Sequence, residues 1–178
     1  MRLHKKGNEM DAIEAILTRR SIRKYTAEAV SEQDIETVLH AAMAAPSAGN
    51  QQPWRFVVTT DRAMLDAMAE CTPYGKMLRE APLAITVCAD TSDLRHPTMW
   101  QQDCSNATEN ALIAIHALGL GAVWLGFWPK MERVDPLKAT LGLPEGLEPL
   151  AVLAVGHPAE GQPAVDRYDA ARVHRDRW

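Results

Sequence analysis

The chain has 178 residues, 47% of them hydrophobic and 24% charged, which is enough for one domain with a buried core. This composition excludes disordered, collagen-like and coiled-coil proteins. The formal net charge of −4 disfavours a general nucleic-acid-binding protein, which would be basic. Residues 1–25 depart from this balance, with seven basic and three acidic side chains. They indicate a small anionic ligand, although residues 1–10 also fit a flexible basic arm.

The three cysteines and the apolar segments bear on location and partners. The cysteines are odd in number and far apart in the sequence, so they predict neither disulfides nor a zinc site, and a reducing, cytoplasmic location is expected. Residues 110–129 carry no Asp, Glu, Lys or Arg, but His116 and the Gly119–Gly121 segment predict a helix end followed by a buried strand. We therefore expect no membrane span, and the sequence contains no metal-binding motif.

Hydrophobic periodicity predicts alternating helices and strands along one domain, residues 1–178. A first helix begins at Asp11 and stops near Arg19, and a second is capped by Ser31 and ends before Pro46. Further helices are predicted over residues 62–80 with a break at Pro73, 99–118 and 133–141, and strands over 54–59, 83–89, 122–128 and 149–155. This alternation predicts a layered α/β sandwich, with an irregular tail from residue 158 onward.

Apolar side chains in the tail need a surface on which to dock. Val165, Tyr168, Val173 and Trp178 lie within its last 14 residues. A partner subunit would provide that surface, so we expect a homodimer.

Four segments carry groups suited to ligand binding. Arg19, Arg20, Ser21 and Arg23 offer forked donors and a hydroxyl for a phosphate or a carbonyl edge. The loop over residues 46–53 offers amide groups, and Trp124-Leu125-Gly126 would let the backbone approach a flat ring. Arg167 in the tail is a fourth element. Together they predict a flat ligand with a polar edge and an anionic end.

Other polar residues receive a structural interpretation. The sequence has no nucleophile elbow, Walker loop or dinucleotide fingerprint. Asp103, Asn106 and Asn110 lie on the long predicted helix, and we interpret them as hydrogen-bonding groups of the core or of a dimer seam.

In this order the segments resemble the nitroreductase family of FMN-dependent NAD(P)H oxidoreductases. The resemblance rests on residues 19–25 (RRSIRKY) and 45–54 (APSAGNQQPW), supported by Asn110, residues 119–126 (GLGAVWLG) and 156–158 (GHP). It extends over nearly the whole chain. It implies an α+β sandwich whose central mixed, mainly antiparallel sheet is flanked by helices, and whose C-terminal tail is exchanged in a homodimer.

The resemblance also implies where FMN binds, at the subunit interface. Arg19 and Ser21, with Arg20 nearby, would hold the phosphate and ribityl end, and Arg23 would face the N1/C2 edge of the ring. Arg167 would return to the phosphate, with Arg172, Arg175 and Arg177 as rivals. The ring and its pyrimidine edge would be lined from the second subunit by Pro46, Ser47 and Asn50, with Gln52 as a further candidate. The backbone of Leu125 and Gly126 would reach the flavin edge near N5.

The implied reaction is a ping-pong hydride transfer from NADH or NADPH, through flavin, to a nitroaromatic, quinone or similar small acceptor. No side chain is then needed as a catalytic nucleophile or acid, and Arg23 tunes the flavin. The aromatic residues Tyr74, Trp100, Phe127 and Trp128 either stack an acceptor ring or belong to the core. Alternatives are a reductive dehalogenase, a flavin-fragmenting enzyme, a flavin-binding protein without turnover, and an unrelated α/β protein that binds a partner.

Overall fold

The computed structural model describes residues 10–178, so the predicted arm over residues 1–10 lies almost wholly outside the described residues. Side-chain caps fix where three helices begin. The Oδ1 of Asp11 accepts from the backbone N–H groups of Ile13 (2.8 Å) and Glu14 (3.0 Å), and Ser31 and Asp61 cap the next two helices in the same way. The helices are α1 (Ala12–Thr18), α2 (Glu32–Met43), α3 (Arg62–Glu70), α4 (Trp100–Ala117) and α5 (Met131–Leu141).

Four strands form one sheet in the order β1-β2-β4-β3. All pairings between these strands are antiparallel, and a parallel bridge between Ser21 and Ala122 adds the mixed character at the edge. The predicted central strand is confirmed, since β2 lies between two neighbours and is buried on both faces. The strands are β1 (Trp54–Thr59), β2 (Leu83–Asp90), β3 (Gly121–Gly126) and β4 (Leu147–Gly156).

Helices cover both faces of the sheet and divide the core into two halves. On one face, α2 and α4 pack against alternate strand residues such as Ile85 and Leu153. On the other, α3 and α5 pack against Val123, Leu125 and Val152. This α+β sandwich confirms the predicted fold class. Of the helices in residues 10–178, none combines the length and apolar character that a membrane span needs.

Two predicted elements are shorter than the sequence indicated. The helix predicted over residues 62–80 with a break at Pro73 ends at Glu70, three residues before that proline, and after the break a short 3₁₀ segment covers Lys76–Arg79 in place of a second helical stretch. The strand predicted to reach residue 128 ends at Gly126, because the N–H groups of Phe127 and Trp128 both turn to the carbonyl of Leu150 (3.0 and 3.1 Å). Both differences shape the candidate site, which lies between these two segments.

Candidate functional site

A cavity of about 500 Å³ opens beside the edge strand β3. Its walls are residues 123–126 of β3, residues from the segment 72–77, and the side chains of Arg23 and Arg133. Three predicted site residues, Arg23, Leu125 and Gly126, therefore come together here.

Gly126, the last residue of β3, leaves this end of the cavity wall without a side chain. A Cβ atom built at this position meets no atom of residues 10–178 within 4 Å, so the space beside the backbone of Gly126 is open. Leu125 is packed into the core and offers mainly its backbone. The end of β3 is therefore a bare strip of backbone that a flat ring can approach closely.

The basic segment after α1 pairs with the beginning of β3 through a parallel bridge between Ser21 and Ala122. The N–H of Ile22 donates to the carbonyl of Ala122 (2.9 Å), and the Ile22 side chain occupies the space that a Cβ at Gly121 would need. The hydroxyl of Tyr25 lies 2.6 Å from the Ile22 carbonyl and 2.9 Å from that of Ala154. Burial raises the pKa of Tyr25, which keeps this phenol protonated and able to donate. The segment is thus fixed on the sheet, with the Arg23 side chain exposed in the cavity.

Arg19 and Arg20 have partners of their own and do not line the cavity. The Nε of Arg19 pairs with Oε1 of Glu109 at 3.2 Å. The guanidinium of Arg20 donates to the carbonyls of Leu17 and Arg19 and, across the chain, to those of Pro163 (3.0 Å) and Val165 (3.2 Å). Arg20 therefore anchors the start of the tail, a role that no local pattern indicated.

The loop over residues 46–53 lies apart from the cavity, next to α4. Gly49, Asn50 and Gln52 have φ angles of 54°, 55° and 48°, and the hydroxyl of Ser47 accepts from the N–H of Gln52 at 3.0 Å. Left-handed conformations are costly for residues other than glycine, so the loop needs external support. The side chains of Pro46, Asn50 and Gln52 are exposed in this chain.

Asp103 of α4 supplies that support. It is 2% exposed, and its two carboxylate oxygens accept from the N–H of Ala48 (2.8 Å) and from Nε2 of Gln51 (2.7 Å). Gln51 in turn accepts from the N–H of His96 at 2.9 Å. Asn106 donates to the carbonyl of Pro46 (3.4 Å) and Asn110 to that of Ala41 (3.1 Å).

The structural interpretation of these three residues is confirmed, but the support that Asp103 gives to the loop was missed. One available signal was its position, four and eight residues before Ala107 and Ala111 on the buried face of the helix.

The tail and α1 expose apolar surface. Ile13, Ile16 and Leu17 share one face of α1 and are 65%, 52% and 64% exposed. Every residue from 161 to 178 is exposed, including Arg167 and the apolar residues predicted to dock. In this single chain the tail brings Arg167 neither to the cavity wall nor into the core.

Three of the four candidate aromatic residues, and the thiols, belong to the core. Trp100 and Trp128 make an edge-to-face pair with ring centroids 5.0 Å apart, and Phe127 is fully buried. Of the four candidate aromatic residues, Tyr74 is the one that lines the cavity. Burial raises the pKa of Cys88 and of Cys104 to about 12, so neither thiol is a ready nucleophile.

Comparison with known proteins shows the family to which this chain belongs. The model of the nitroreductase family matches residues 16–75 and 64–157. The chain belongs to the nitroreductase family. It is 46% identical to a Methanothermobacter thermautotrophicus protein with the paired name NADH dehydrogenase/NAD(P)H nitroreductase, covering 97% of this chain and 91% of that protein.

Solved structures of the family share this fold. A Bacteroides thetaiotaomicron structure with the same paired name is 39% identical, with a TM-score of 0.89 over 97% of this chain and all of that one. An FMN-dependent nitroreductase from Clostridium difficile is 28% identical, with a TM-score of 0.87 over 93% of this chain and 99% of that one. Both matches confirm the predicted nitroreductase-like sandwich.

Proposed function

We propose that this nitroreductase-family chain is an oxidoreductase that binds FMN beside β3 and uses NADH or NADPH to reduce a small acceptor such as a nitroaromatic compound or a quinone. The observation that carries the proposal is the open strip at Leu125 and Gly126, next to the Arg23 side chain. The FMN dependence of the Clostridium difficile relative supports the same cofactor here. When bound, FMN supplies hydride-transfer chemistry, accepting from the nicotinamide and passing the electrons to the acceptor in a second half-reaction.

The residues of the cavity fit a flavin ring. Gly126 presents no side chain, so the ring can lie against the end of β3 with the backbone of Leu125 and Gly126 near its edge. Arg23 is exposed in the same cavity and would stabilise negative charge on the N1/C2 edge of the reduced ring. Arg19 and Ser21 lie in the same segment and would hold the phosphate and ribityl end. Arg20 stays nearby as the anchor of the tail.

A second copy of the chain would complete the site. The loop that carries Pro46, Ser47, Asn50 and Gln52 lies apart from the cavity of its own chain, so these groups would act on the ring bound by the other copy. The exposed apolar face of α1 supports a homodimer, since burying a leucine or isoleucine side chain contributes about 1.5–3 kcal/mol.

The exposed tail would dock on the second copy and carry Arg167 toward the phosphate. Arg172 is a weaker rival for that role because its Nε already pairs with Asp169 at 3.1 Å. A cytoplasmic location follows from the same proposal, because NADH and NADPH are supplied there.

The test is the visible spectrum of the purified protein under anaerobic conditions, before and after NADH. We expect a yellow protein that releases FMN on denaturation and bleaches on reduction. Arg23→Ala should keep the fold and slow bleaching about tenfold or more, because a hydrogen bond to a charged group contributes about 1.5–3 kcal/mol.

The matched control for Arg23→Ala is Arg55→Ala, which removes the same charge from the opposite edge strand β1 and should bleach normally. A colourless protein would refute the proposal. A yellow protein that NADH and NADPH both fail to bleach would favour a flavin-binding protein without turnover. Product analysis with a nitroaromatic compound, a quinone, a halotyrosine and reduced flavin separates the acceptor reductase from a dehalogenase or a flavin-fragmenting enzyme.

A further inference from the structure

The cavity is strongly cationic in a chain that is acidic overall. Among residues 10–178 its lining includes Arg23, Lys76 and Arg133 and no aspartate or glutamate, whereas the whole chain has a net charge of −4. Charges of one sign on a cleft with apolar walls focus the potential inside it and attract ligands of the opposite sign. The N1/C2 edge of the flavin would pair with Arg23, which leaves Lys76 and Arg133 without an assigned role.

Arg133 lies at the far end of the cavity from the backbone of Arg23. Ile22, next to Arg23, bonds to Ala122 near the beginning of β3, and Arg133 donates to the carbonyl of Gly126 at its end (3.3 Å). Four residues of strand separate these two points, about 13 Å. We therefore assign Arg133 to the outer part of the cavity, at the opposite end of this stretch of β3 from the backbone of Arg23.

Arg133 and Lys76 are free to bind an anion. Neither is paired with a carboxylate in the part of the chain from residue 10 to 178, although Arg19, Arg55 and Arg79 all are. The guanidinium of Arg133 lies over the ring of Tyr74, 5.0 Å from its centroid, in a cation–π contact. A guanidinium has five N–H donors, so one bond to Gly126 leaves several for a carboxylate, phosphate or sulfonate.

Tyr74 adds a surface for a ring beside this anion site. It is 63% exposed at the cavity, and Met77 of the next turn also lines the wall. The combination of an exposed aromatic face and an unpaired guanidinium suits a planar molecule with an anionic oxygen group.

We propose that the outer part of the cavity selects co-substrates with an anionic oxygen group, and that Arg133 is the residue that determines this selectivity. The inference rests on the proposed function, since it concerns the molecules that react at the same cavity. Two sources share this chemistry, the 2′-phosphate of NADPH and a carboxylate or sulfonate on the acceptor. Lys76 reinforces the same preference from the segment 72–77.

The test compares, in each half-reaction separately, two partners that differ by one anionic oxygen group. The partner that carries this group is the anionic member and the other is the reference member, since NADH lacks the 2′-phosphate but keeps its pyrophosphate. In the first arm, anaerobic bleaching is timed with NADPH and with NADH. In the second, the reduced protein is mixed with 4-nitrobenzoate or with neutral 4-nitrobenzyl alcohol. We expect kcat/KM to be about tenfold or more higher for the anionic member in at least one arm, and the preference to weaken as ionic strength rises.

The variants assign the preference to Arg133. Arg133→Gln should raise KM for the anionic member by a larger factor than for the reference member, so that the ratio of their kcat/KM values falls to about one. Arg133→Lys should retain part of the preference and guards against a loss caused by misfolding. Arg79→Gln, a charge change outside the cavity lining, should behave as wild type.

Bleaching without a charge preference in either arm would overturn this inference and leave the proposed function standing. A preference that survives Arg133→Gln would equally overturn the assignment. Failure to bleach with either nicotinamide would refute the proposed function itself.

Discussion

Replacing Asp103 by asparagine tests whether α4 holds the loop over residues 46–53 in its binding conformation. Asparagine has the same shape but one acceptor oxygen, whereas Asp103 accepts two bonds, from Ala48 N–H and from Gln51 Nε2. One of these donors would then face an amide NH₂ group. Gln51 could turn its own amide to accept from the introduced asparagine, but its oxygen would leave the N–H of His96. Turning Gln51 would also break the bond from its Nε2 to the carbonyl of His96 (3.2 Å), so either arrangement loses at least one bond.

The loss translates into measurable numbers. A hydrogen bond to a charged group contributes about 1.5–3 kcal/mol. With a urea slope of about 2 kcal/mol per M, Asp103→Asn should lower the unfolding midpoint by about 1 M. Asp103→Ala removes both bonds and leaves the Ala48 N–H without its acceptor, so its effect should be roughly twice as large.

FMN affinity gives a second readout of the same change. The loop holds Asn50 and Gln52 at positive φ, a conformation that relaxes once its support is weakened. If the released loop gives up the energy of one such bond, the Kd for FMN should rise about tenfold or more. Fluorescence titration of the apoprotein measures this, with exposed Asp135→Asn on α5 as the control. An unchanged urea midpoint together with an unchanged Kd would refute the role of Asp103.

Four further changes test other parts of the structure. Arg20→Met should release the tail, seen as faster cleavage of the C-terminus in limited proteolysis with the core still protected. Gly126→Leu should fill the cavity, so that the protein unfolds at the same urea concentration but retains little FMN. Leu17→Asp should leave the exposed helix folded but shift sedimentation from dimer to monomer, with release of flavin; a monomer that keeps FMN tightly would contradict the shared site. The fourth concerns pH: partial burial, then Arg19 and Arg20, lowers the pKa of His116, so the unfolded state takes up the proton more readily. The free energy of unfolding should therefore fall as pH drops from about 6.5 through the lowered folded pKa, and His116→Gln should remove this part of the slope.

Local patterns in the sequence were sufficient for most of the fold. The caps at Asp11 and Ser31 and the continuous apolar run from Leu83 act within a few residues, so they can be read from the chain itself. The boundary error at the end of β3 has a non-local cause. Strand β3 ends before Phe127 because the backbone N–H of Phe127 donates to the carbonyl of Leu150 in β4. No sequence pattern near residue 127 predicts this partner, which lies 23 residues away.

The residues of the candidate site also differ in whether local sequence patterns could predict them. Arg23, Leu125 and Gly126 belong to recognisable segments, and the structure brings them to one cavity. Arg133 belongs to no such motif, because the role that we propose for it rests on its contacts with Tyr74, 59 residues earlier, and with the carbonyl of Gly126.

For Asp103, the sequence position indicates burial, but no sequence pattern identifies the residues that donate hydrogen bonds to its carboxylate. An acid on the buried face of a helix must find donors, since an unpaired buried charge is costly. Its donors come from a loop more than 50 residues away that must hold left-handed residues. The sequence therefore indicates that Asp103 needs hydrogen-bond donors. It does not indicate that these donors belong to the loop over residues 46–53, which we propose contacts the flavin bound by a second subunit.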